Sequence, residues 1–201
     1  LYKYGTMSKV VIVNAKRSAI GKFLGSLSGL SSVEIGSSVV NSLIDSSEIS
    51  KSEIDELIMG QVLTGGHGQN PARQTMMLSE IPYEKSAVTI NQVCGSGLRA
   101  ITIGAQSILS GQSEIVIAGG QESMSNSHHT ANIRNGIKMG DGSLKDSMIV
   151  DGLWCAMNNY HMGTTAENIA EKYKISKEEQ DSFAVESQNK AEKAQQEGHF
   201  K

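Results

Sequence analysis

Cys94 occupies a position that suits a nucleophile. It follows the apolar residues 87–90, which predict a strand, and it precedes Gly95-Ser96-Gly97, where a helix is predicted to begin. A cysteine in the first turn of a helix lies near unpaired backbone N–H groups and the positive end of the helix dipole, and both favour the thiolate. Its own backbone N–H is available to an oxyanion. The alternative is a small apolar residue that fills a strand–helix junction.

The same turn also matches a dinucleotide-binding fingerprint. Residues 95–100 read Gly-Ser-Gly-Leu-Arg-Ala, which fits G-x-G-x-x-G/A between a strand and a helix. A nicotinamide site places an acidic residue at the end of the next strand to hold the ribose. Here that strand ends in Gly119-Gly120-Gln121, and Glu122 lies further into the turn. The prediction of a nicotinamide-binding domain therefore rests on the fingerprint alone.

Other chemistry-bearing residues give less specific signals. The adjacent side chains of His128 and His129 splay apart and have no Cys or acidic partner at ligand spacing, so we expect a solvated loop and no metal site. Cys155 has neither a base nor a helix start beside it in the sequence, and we expect a structural thiol. We therefore expect iodoacetamide to label Cys94 faster than Cys155 at neutral pH.

Strands and helices alternate around Cys94. Short apolar segments predict strands at residues 10–13, 57–59, 87–90 and 115–118. Helix starts are predicted by capping residues, at Ser31 with Glu34, Asn70 with Pro71, Thr164 with Glu167, and Ser176 with Glu179. A stripe of Leu98, Ile101, Ala105, Ile108 and Leu109 predicts a helix that ends at Gly111. A strand, a helix and a strand within about thirty residues imply parallel pairing with a right-handed crossover. The predicted fold class is α/β.

The composition excludes several classes of protein. The 201 residues include 18 Lys and Arg against 21 Asp and Glu, for a net charge of -3, so we expect neither nucleic acid nor a membrane surface as a partner. The apolar runs are too short to cross a bilayer. Two cysteines without Cys-x-x-Cys spacing indicate free thiols in a reducing compartment, and we expect a cytoplasmic location.

Several separated segments resemble the thiolase family, in particular its acetyl-CoA acetyltransferases. They are Asn-Gln-Val-Cys-Gly-Ser-Gly-Leu-Arg-Ala at 91–100, Ala-Gly-Gly-Gln-Glu-Ser-Met-Ser at 118–125 and His-Met-Gly-Thr-Thr-Ala-Glu-Asn at 161–168. Gly60-Gln61-Val62 and residues 68–73 resemble the family's second strand and the helix after it. The resemblance covers residues 7–201. It implies the N-terminal half of a layered thiolase fold, with an extension at 1–6, an α/β domain at 7–120 and a truncated loop domain at 121–201.

The resemblance also implies roles for four residues. Cys94 matches the nucleophile that accepts the acyl group from an acyl-CoA thioester, with its backbone N–H at the oxyanion. His161 and Met162 match a pair that lines the acyl and pantetheine end of the pocket, and Leu153 lies where a contact to coenzyme A is expected. The implied reaction joins two acetyl-CoA molecules into acetoacetyl-CoA and coenzyme A, or runs in reverse. It implies no metal or redox cofactor, because coenzyme A enters as part of the substrate.

Part of the family's catalytic machinery has no counterpart in this sequence. The resemblance implies a protein built from two similar α/β halves. In that family the second half supplies a histidine in a Gly-His-Pro setting, a second cysteine in a glycine-rich turn and an asparagine-held water. We expect the chain alone to be inactive, since no base is positioned to form an enolate. The intact enzyme is expected to be a homo-oligomer, a dimer or tetramer, and the irregular residues 121–160 resemble its assembly loop.

Three alternatives stay open besides the thiolase assignment. A condensing enzyme of the ketoacyl synthase type shares the cysteine at a helix start. A nicotinamide-binding domain follows from the fingerprint at 95–100. A non-catalytic module that only mediates assembly follows from the missing second half.

Overall fold

The computed structural model describes residues 9–199. The chain divides into two compact units, Leu1–Gly152 and Leu153–Lys201. Both the extension predicted at residues 1–6 and the start of the predicted domain at Met7 lie outside the described residues. Among the described residues, no helix is long and apolar enough to cross a membrane.

The first unit is built on a small parallel sheet. Its strands are β1 (Glu56–Gly60), β2 (Ser86–Ile90) and β3 (Val116–Gly120), in the order β2-β1-β3. β1 is central and pairs in parallel with both neighbours, Leu57 standing opposite Ala87 and Ile117. Its helices are α1 (Ser32–Asp45), α2 (Pro71–Leu78) and α3 (Ser96–Leu109). The predicted parallel α/β arrangement is confirmed, because each crossover from strand to strand carries a helix.

The two faces of the sheet are covered differently. Leu57 and Met59 point to one face, where they join a core whose other buried members come mainly from α1 and α2: Val40, Ile44, Ile54, Ala72, Met76, Ile81 and Ile117. Successive strand residues alternate between faces, so Gly60 points to the opposite face, where it meets α3. The strand ends at Gly60 and Ile90 therefore lie beside the start of α3.

The predicted caps explain where the helices of this unit begin and end. Ser31 Oγ accepts from Glu34 N–H at 3.2 Å, and Glu34 Oε2 accepts from Ser31 N–H at 2.7 Å. Asn70 caps α2, with Pro71 as its first residue. Gly111, just beyond the end of α3, has a φ of 75°, a left-handed conformation that costs glycine little.

One expectation about this unit is wrong. Residues 10–13 form no strand, and the side chains of Val11, Ile12 and Val13 are exposed. An apolar run becomes a strand only by pairing with another strand, and residues 10–13 pair with neither edge strand, β2 or β3, of this sheet. The helix predicted from the apolar stripe of α3 is confirmed, but Leu98 of that stripe is 73% exposed, and the buried residues of α3 are Ser96, Ala100, Gly104 and Ser107. Small residues face the sheet because a Cβ at Gly104 would lie only 3.0 Å from Val116.

The irregular region predicted at 121–160 contains only short elements. They are a 3-10 turn at Met124–Asn126, the antiparallel strands β4 (His129–Thr130) and β5 (Lys145–Asp146), a π-helix at Met148–Leu153, and the antiparallel strands β6 (Trp154–Cys155) and β7 (Tyr160–His161). Strands of two residues give no periodicity, which is why the sequence pattern did not show them.

The second unit ends in two helices, α4 (Met162–Tyr173) and α5 (Lys177–Gln196). α5 begins with the predicted capping box of Ser176 and Glu179. The box predicted at Thr164 is wrong, because α4 begins at Met162 and its cap is His161, whose Nδ1 accepts from Gly163 N–H at 3.0 Å. A histidine side chain satisfies this helix start in place of the hydroxyl that the pattern favours.

Candidate functional site

The exposed thiol of Cys94 lies on the turn that joins β2 to α3. It stands directly before Gly95, which caps the helix, rather than inside the first helical turn. The thiol is thus accessible at the carboxyl edge of the parallel sheet, where ligands of open α/β sheets collect. The predicted strand–helix junction is confirmed, whereas the alternative of Cys94 as a buried filler is excluded by its exposure.

The backbone of this turn is unusual at Val93. Its φ is 49°, a left-handed conformation that a β-branched residue rarely adopts. The turn is held by side chains on both sides of it: Asn91 Oδ1 accepts from Val93 N–H at 2.8 Å, and Ser96 Oγ accepts from Gln92 N–H at 2.8 Å. Side-chain hydrogen bonds therefore maintain a strained turn immediately before the candidate nucleophile.

The start of α3 rests on β1 at a glycine. A Cβ at Gly60 would lie 2.5 Å from the carbonyl carbon of Ser96 and 2.7 Å from the nitrogen of Gly97, both of them backbone atoms that have little freedom to move. Glycine at position 60 therefore permits the close approach that fixes the Cys94 turn against the sheet.

Polar side chains that our sequence reasoning missed connect the strand ends. Thr75 Oγ1 donates to Gln121 Oε1 at 2.6 Å, and Gln121 Nε2 donates to Gln61 Oε1 at 3.0 Å; all three residues are buried. Gln61 Nε2 in turn donates to the carbonyl of Leu63 at 3.1 Å. The available signal was a glutamine within three residues of the end of each of two predicted strands, at positions 61 and 121.

Glu122 supports the loop after β1. Its carboxylate accepts from Val62 N–H at 2.8 Å and from Leu63 N–H at 3.4 Å. Burial raises the pKa of Glu122, although these backbone hydrogen bonds pull the pKa the other way. Because the carboxylate is occupied by backbone donors, Glu122 is not free to hold a ribose. This arrangement disfavours the nicotinamide alternative.

Cys155 has a partner that the sequence did not reveal. It ends β6, and Asn158, in the turn that leads to β7, donates from Nδ2 to Cys155 Sγ at 3.3 Å. Hydrogen bonds from Asn158, backbone first and then side chain, lower the pKa of the Cys155 thiol. The expectation that Cys155 is a structural thiol stays a prediction.

Leu153, His161 and Met162 gather at one end of the two-stranded sheet of the second unit. Leu153 precedes Trp154, which stands opposite His161, and Met162 follows as the first residue of α4. Since His161 Nδ1 accepts a hydrogen bond, the neutral ring carries its proton on Nε2. These three candidates belong to the second unit, and Cys94 belongs to the first. Their contacts to a substrate stay a prediction.

The histidines in the loops have interactions of their own. His128 Nδ1 lies 2.9 Å from the carbonyl oxygen of Gly65, and its ring is tilted against that of His67 at a centroid distance of 5.0 Å. Burial, and secondarily the neighbouring His128, lower the pKa of His67. Within residues 9–199, no group of three or more His, Cys, Asp or Glu side chains is placed to hold a metal ion.

Known proteins match this chain over almost its whole length. The sequence profile of the thiolase N-terminal domain matches residues 10–201. An acetyl-CoA acetyltransferase of Allochromatium vinosum is 58% identical over 192 residues, which cover 95% of this chain and 49% of that protein. One of Paracoccus denitrificans is 55% identical over 194 residues, covering 96% of this chain and 50% of that protein. The chain thus spans about half the length of the curated relatives it matches.

A solved structure agrees with the sequence comparison. The crystal structure of the Acat5 thiolase from Ascaris suum in complex with coenzyme A superposes with a TM-score of 0.86 at 42% identity, covering 90% of this chain and 47% of that one. Three findings agree on the family of this chain. The family profile matches most of the chain, relatives are more than 50% identical to it, and a solved thiolase has the same fold. The chain belongs to the thiolase family and carries that family's N-terminal domain.

Proposed function

We propose that the protein to which this chain belongs is an acetyl-CoA acetyltransferase that works through an acetylated Cys94. The observation that carries the proposal is the exposed Cys94 thiol on a hydrogen-bonded turn at the carboxyl edge of the sheet. The relatives named acetyl-CoA acetyltransferase support the choice of acyl group. The solved thiolase that holds coenzyme A supports the choice of carrier.

In the first half-reaction, the Cys94 thiolate attacks the carbonyl carbon of the acetyl-CoA thioester. The carbonyl oxygen takes the negative charge and is bound by the Cys94 backbone N–H. Collapse of this tetrahedral species breaks the bond to the coenzyme A sulfur, which leaves as a thiolate and takes up a proton. The product is an acetyl thioester on Cys94 and free coenzyme A.

In the second half-reaction, the α-carbon of another acetyl-CoA loses a proton and attacks the acetyl group on Cys94. Acetoacetyl-CoA leaves, and the Cys94 thiolate is regenerated. The base for this step comes from outside the residues that we assign here. We propose that Leu153, His161 and Met162 contact the coenzyme A arm and the acyl group, that no metal or redox cofactor takes part, and that the enzyme is a cytoplasmic homo-oligomer.

Peptide mass spectrometry of the full-length protein after incubation with acetyl-CoA tests the first half-reaction. We expect one acetyl group on the Cys94 peptide and release of coenzyme A in equal amount. Cys94→Ser serves as the variant that removes the acceptor thiol, and Cys155→Ser as the matched control. Acetylation of Cys155 in place of Cys94, or of neither, contradicts the proposal.

A further inference from the structure

The Ser96 hydroxyl bridges two successive residues of the Cys94 turn. Its Oγ accepts from Gln92 N–H at 2.8 Å and donates to the carbonyl oxygen of Val93 at 2.6 Å. The Ser96 backbone N–H also donates to the Val93 carbonyl, at 3.1 Å. Ser96 is only 4% exposed. Ser96 is therefore a buried residue that donates two hydrogen bonds, one from its hydroxyl and one from its backbone N–H, to the Val93 carbonyl.

Holding the Val93 carbonyl fixes the direction of the Cys94 N–H. A peptide bond is planar and trans, so the C=O of Val93 and the N–H of Cys94 point in opposite directions across one rigid unit. No cis peptide bond occurs among residues 9–199. With its carbonyl directed to Ser96, this peptide presents the Cys94 N–H on the side away from Ser96.

Without these hydrogen bonds, this peptide can rotate about the backbone bonds on either side of it. Val93 has a φ of 49°, which is unfavourable for a β-branched side chain, so the turn depends on its hydrogen bonds to keep its shape. Ser96 opposes that rotation, because removing its hydroxyl takes one hydrogen bond from the Val93 carbonyl and leaves Gln92 N–H without its acceptor.

We infer that Ser96 is a positioning residue that aims the Cys94 backbone N–H at the oxyanion of the acyl-transfer step. This inference rests on the proposed acetylation of Cys94. Ser96 is placed to act through the Val93–Cys94 peptide, and no role in contacting the substrate is assigned to it. Its removal should therefore slow the attack on a thioester and leave the intrinsic reactivity of the thiol unchanged.

Two reactions of the same thiol separate this role from a general loss of structure. Acetylation by acetyl-CoA builds negative charge on an oxygen that needs the N–H, whereas alkylation by iodoacetamide displaces iodide at a saturated carbon and creates no oxyanion. In full-length Ser96→Ala, we expect the acetylation rate of Cys94 at saturating acetyl-CoA to fall about tenfold to a hundredfold, which is less than the hundredfold to thousandfold loss on deleting an oxyanion donor, because here the donor is misaligned and not removed. The alkylation rate at the same pH should change less than about twofold.

The matched control is Ser107→Ala. Ser107 is also buried on the sheet-facing side of α3, but it lies near the other end of the helix and its Oγ donates to Glu56 Oε2 at 2.9 Å. We expect both rates at Cys94 to remain within about twofold in this variant. Asn91→Ala, at an exposed side chain that holds Val93 N–H, provides a second test if Ser96→Ala fails to fold. It should show the same selective loss, with a smaller size.

Each outcome bears on the inference. A selective fall in acetylation supports it. Equal falls in acetylation and alkylation, or no change in either, overturn it, because the turn would then be generally disordered or independent of Ser96. Absence of acetylation in the unmodified protein overturns the proposed function itself, and the alkylation rates show whether the Cys94 turn is still formed in that case.

Discussion

The two cysteines of this chain are supported in opposite ways. At Cys94 the protein orders the backbone, through Ser96, Asn91 and the close contact at Gly60. At Cys155 it orders the thiol itself, because Asn158 donates directly to the sulfur. A lowered pKa makes a thiol reactive towards small electrophiles. Hydrogen bonds from Asn158 lower the pKa of the Cys155 thiol. Acyl transfer also needs a fixed donor for the oxyanion, so the ordered backbone at Cys94 suits acyl transfer.

The largest expected effect separates the two cysteines in catalysis. In the full-length protein, Cys94→Ala should lower the turnover of acetyl-CoA by at least about a thousandfold, because the acyl acceptor is lost. Cys155→Ala should leave turnover within about twofold. Release of coenzyme A gives the measurement. A large loss in Cys155→Ala with Cys94→Ala active would reverse the comparison.

A methyl group at position 60 should disturb the contact between β1 and the start of α3, which positions the Cys94 turn. Gly60→Ala places a Cβ against the backbone of Ser96 and Gly97, and we expect the free energy of unfolding to fall by about 1–3 kcal/mol. Gly119→Ala is the matched control, since a Cβ at Gly119 meets nothing within 4 Å. It should change stability by less than about 0.5 kcal/mol. Denaturant unfolding measures both variants, and equal losses would show that the contact at Gly60 does not matter.

Removing the side-chain amide of Asn158 should change the reactivity of Cys155 and leave that of Cys94 unchanged. Asn158→Ala deletes the Nδ2 donor, so the pKa of Cys155 should rise and its thiolate fraction at pH 7 should fall. We expect iodoacetamide to label Cys155 about twofold to fivefold more slowly, with the rate at Cys94 unchanged. Peptide mass spectrometry over time gives the two rates. An unchanged rate at Cys155 would mean that the side chain of Asn158 does not stabilise the thiolate.

The smallest expected effect is a loss of stability at acid pH, and it comes from Asp55, directly before β1 of the sheet that carries Cys94. Backbone donors from Glu114 and then Ile115, at 2.8 and 3.1 Å, lower the pKa of Asp55, with a smaller contribution from Lys85. A carboxyl with a lowered folded-state pKa stabilises the protein above its unfolded pKa of about 4, and the stabilisation is lost as the pH falls through the lower folded value.

Asp55→Asn should therefore be less stable than the parent protein at pH 7, and the difference should shrink below about pH 4. Urea unfolding across this range provides the measurement. Asp181→Asn in the second unit is a control, because Asp181 pairs with the exposed Lys177 of its own helix. A difference between Asp55→Asn and the parent that stays constant with pH would contradict the assignment.

Local sequence patterns determined much of the α/β unit. The apolar segments at 57–59, 87–90 and 115–118 became its strands, and Ser31 and Asn70 started its helices as predicted. They also placed Cys94 at a strand–helix junction. These features were predictable because a cap or a buried strand depends on residues that are close together in the chain.

The sequence by itself thus determined which residues form the three strands of the parallel sheet, where most helices begin and which cysteine stands at the sheet edge. Only the tertiary structure decided that α3 buries its small residues instead of Leu98, that Val10 to Val13 form no strand, and that Ser96 holds the peptide before Cys94. The reason is that each of these depends on what the rest of the chain places beside it: a neighbouring strand, the sheet surface under a helix, or a hydroxyl brought under a turn.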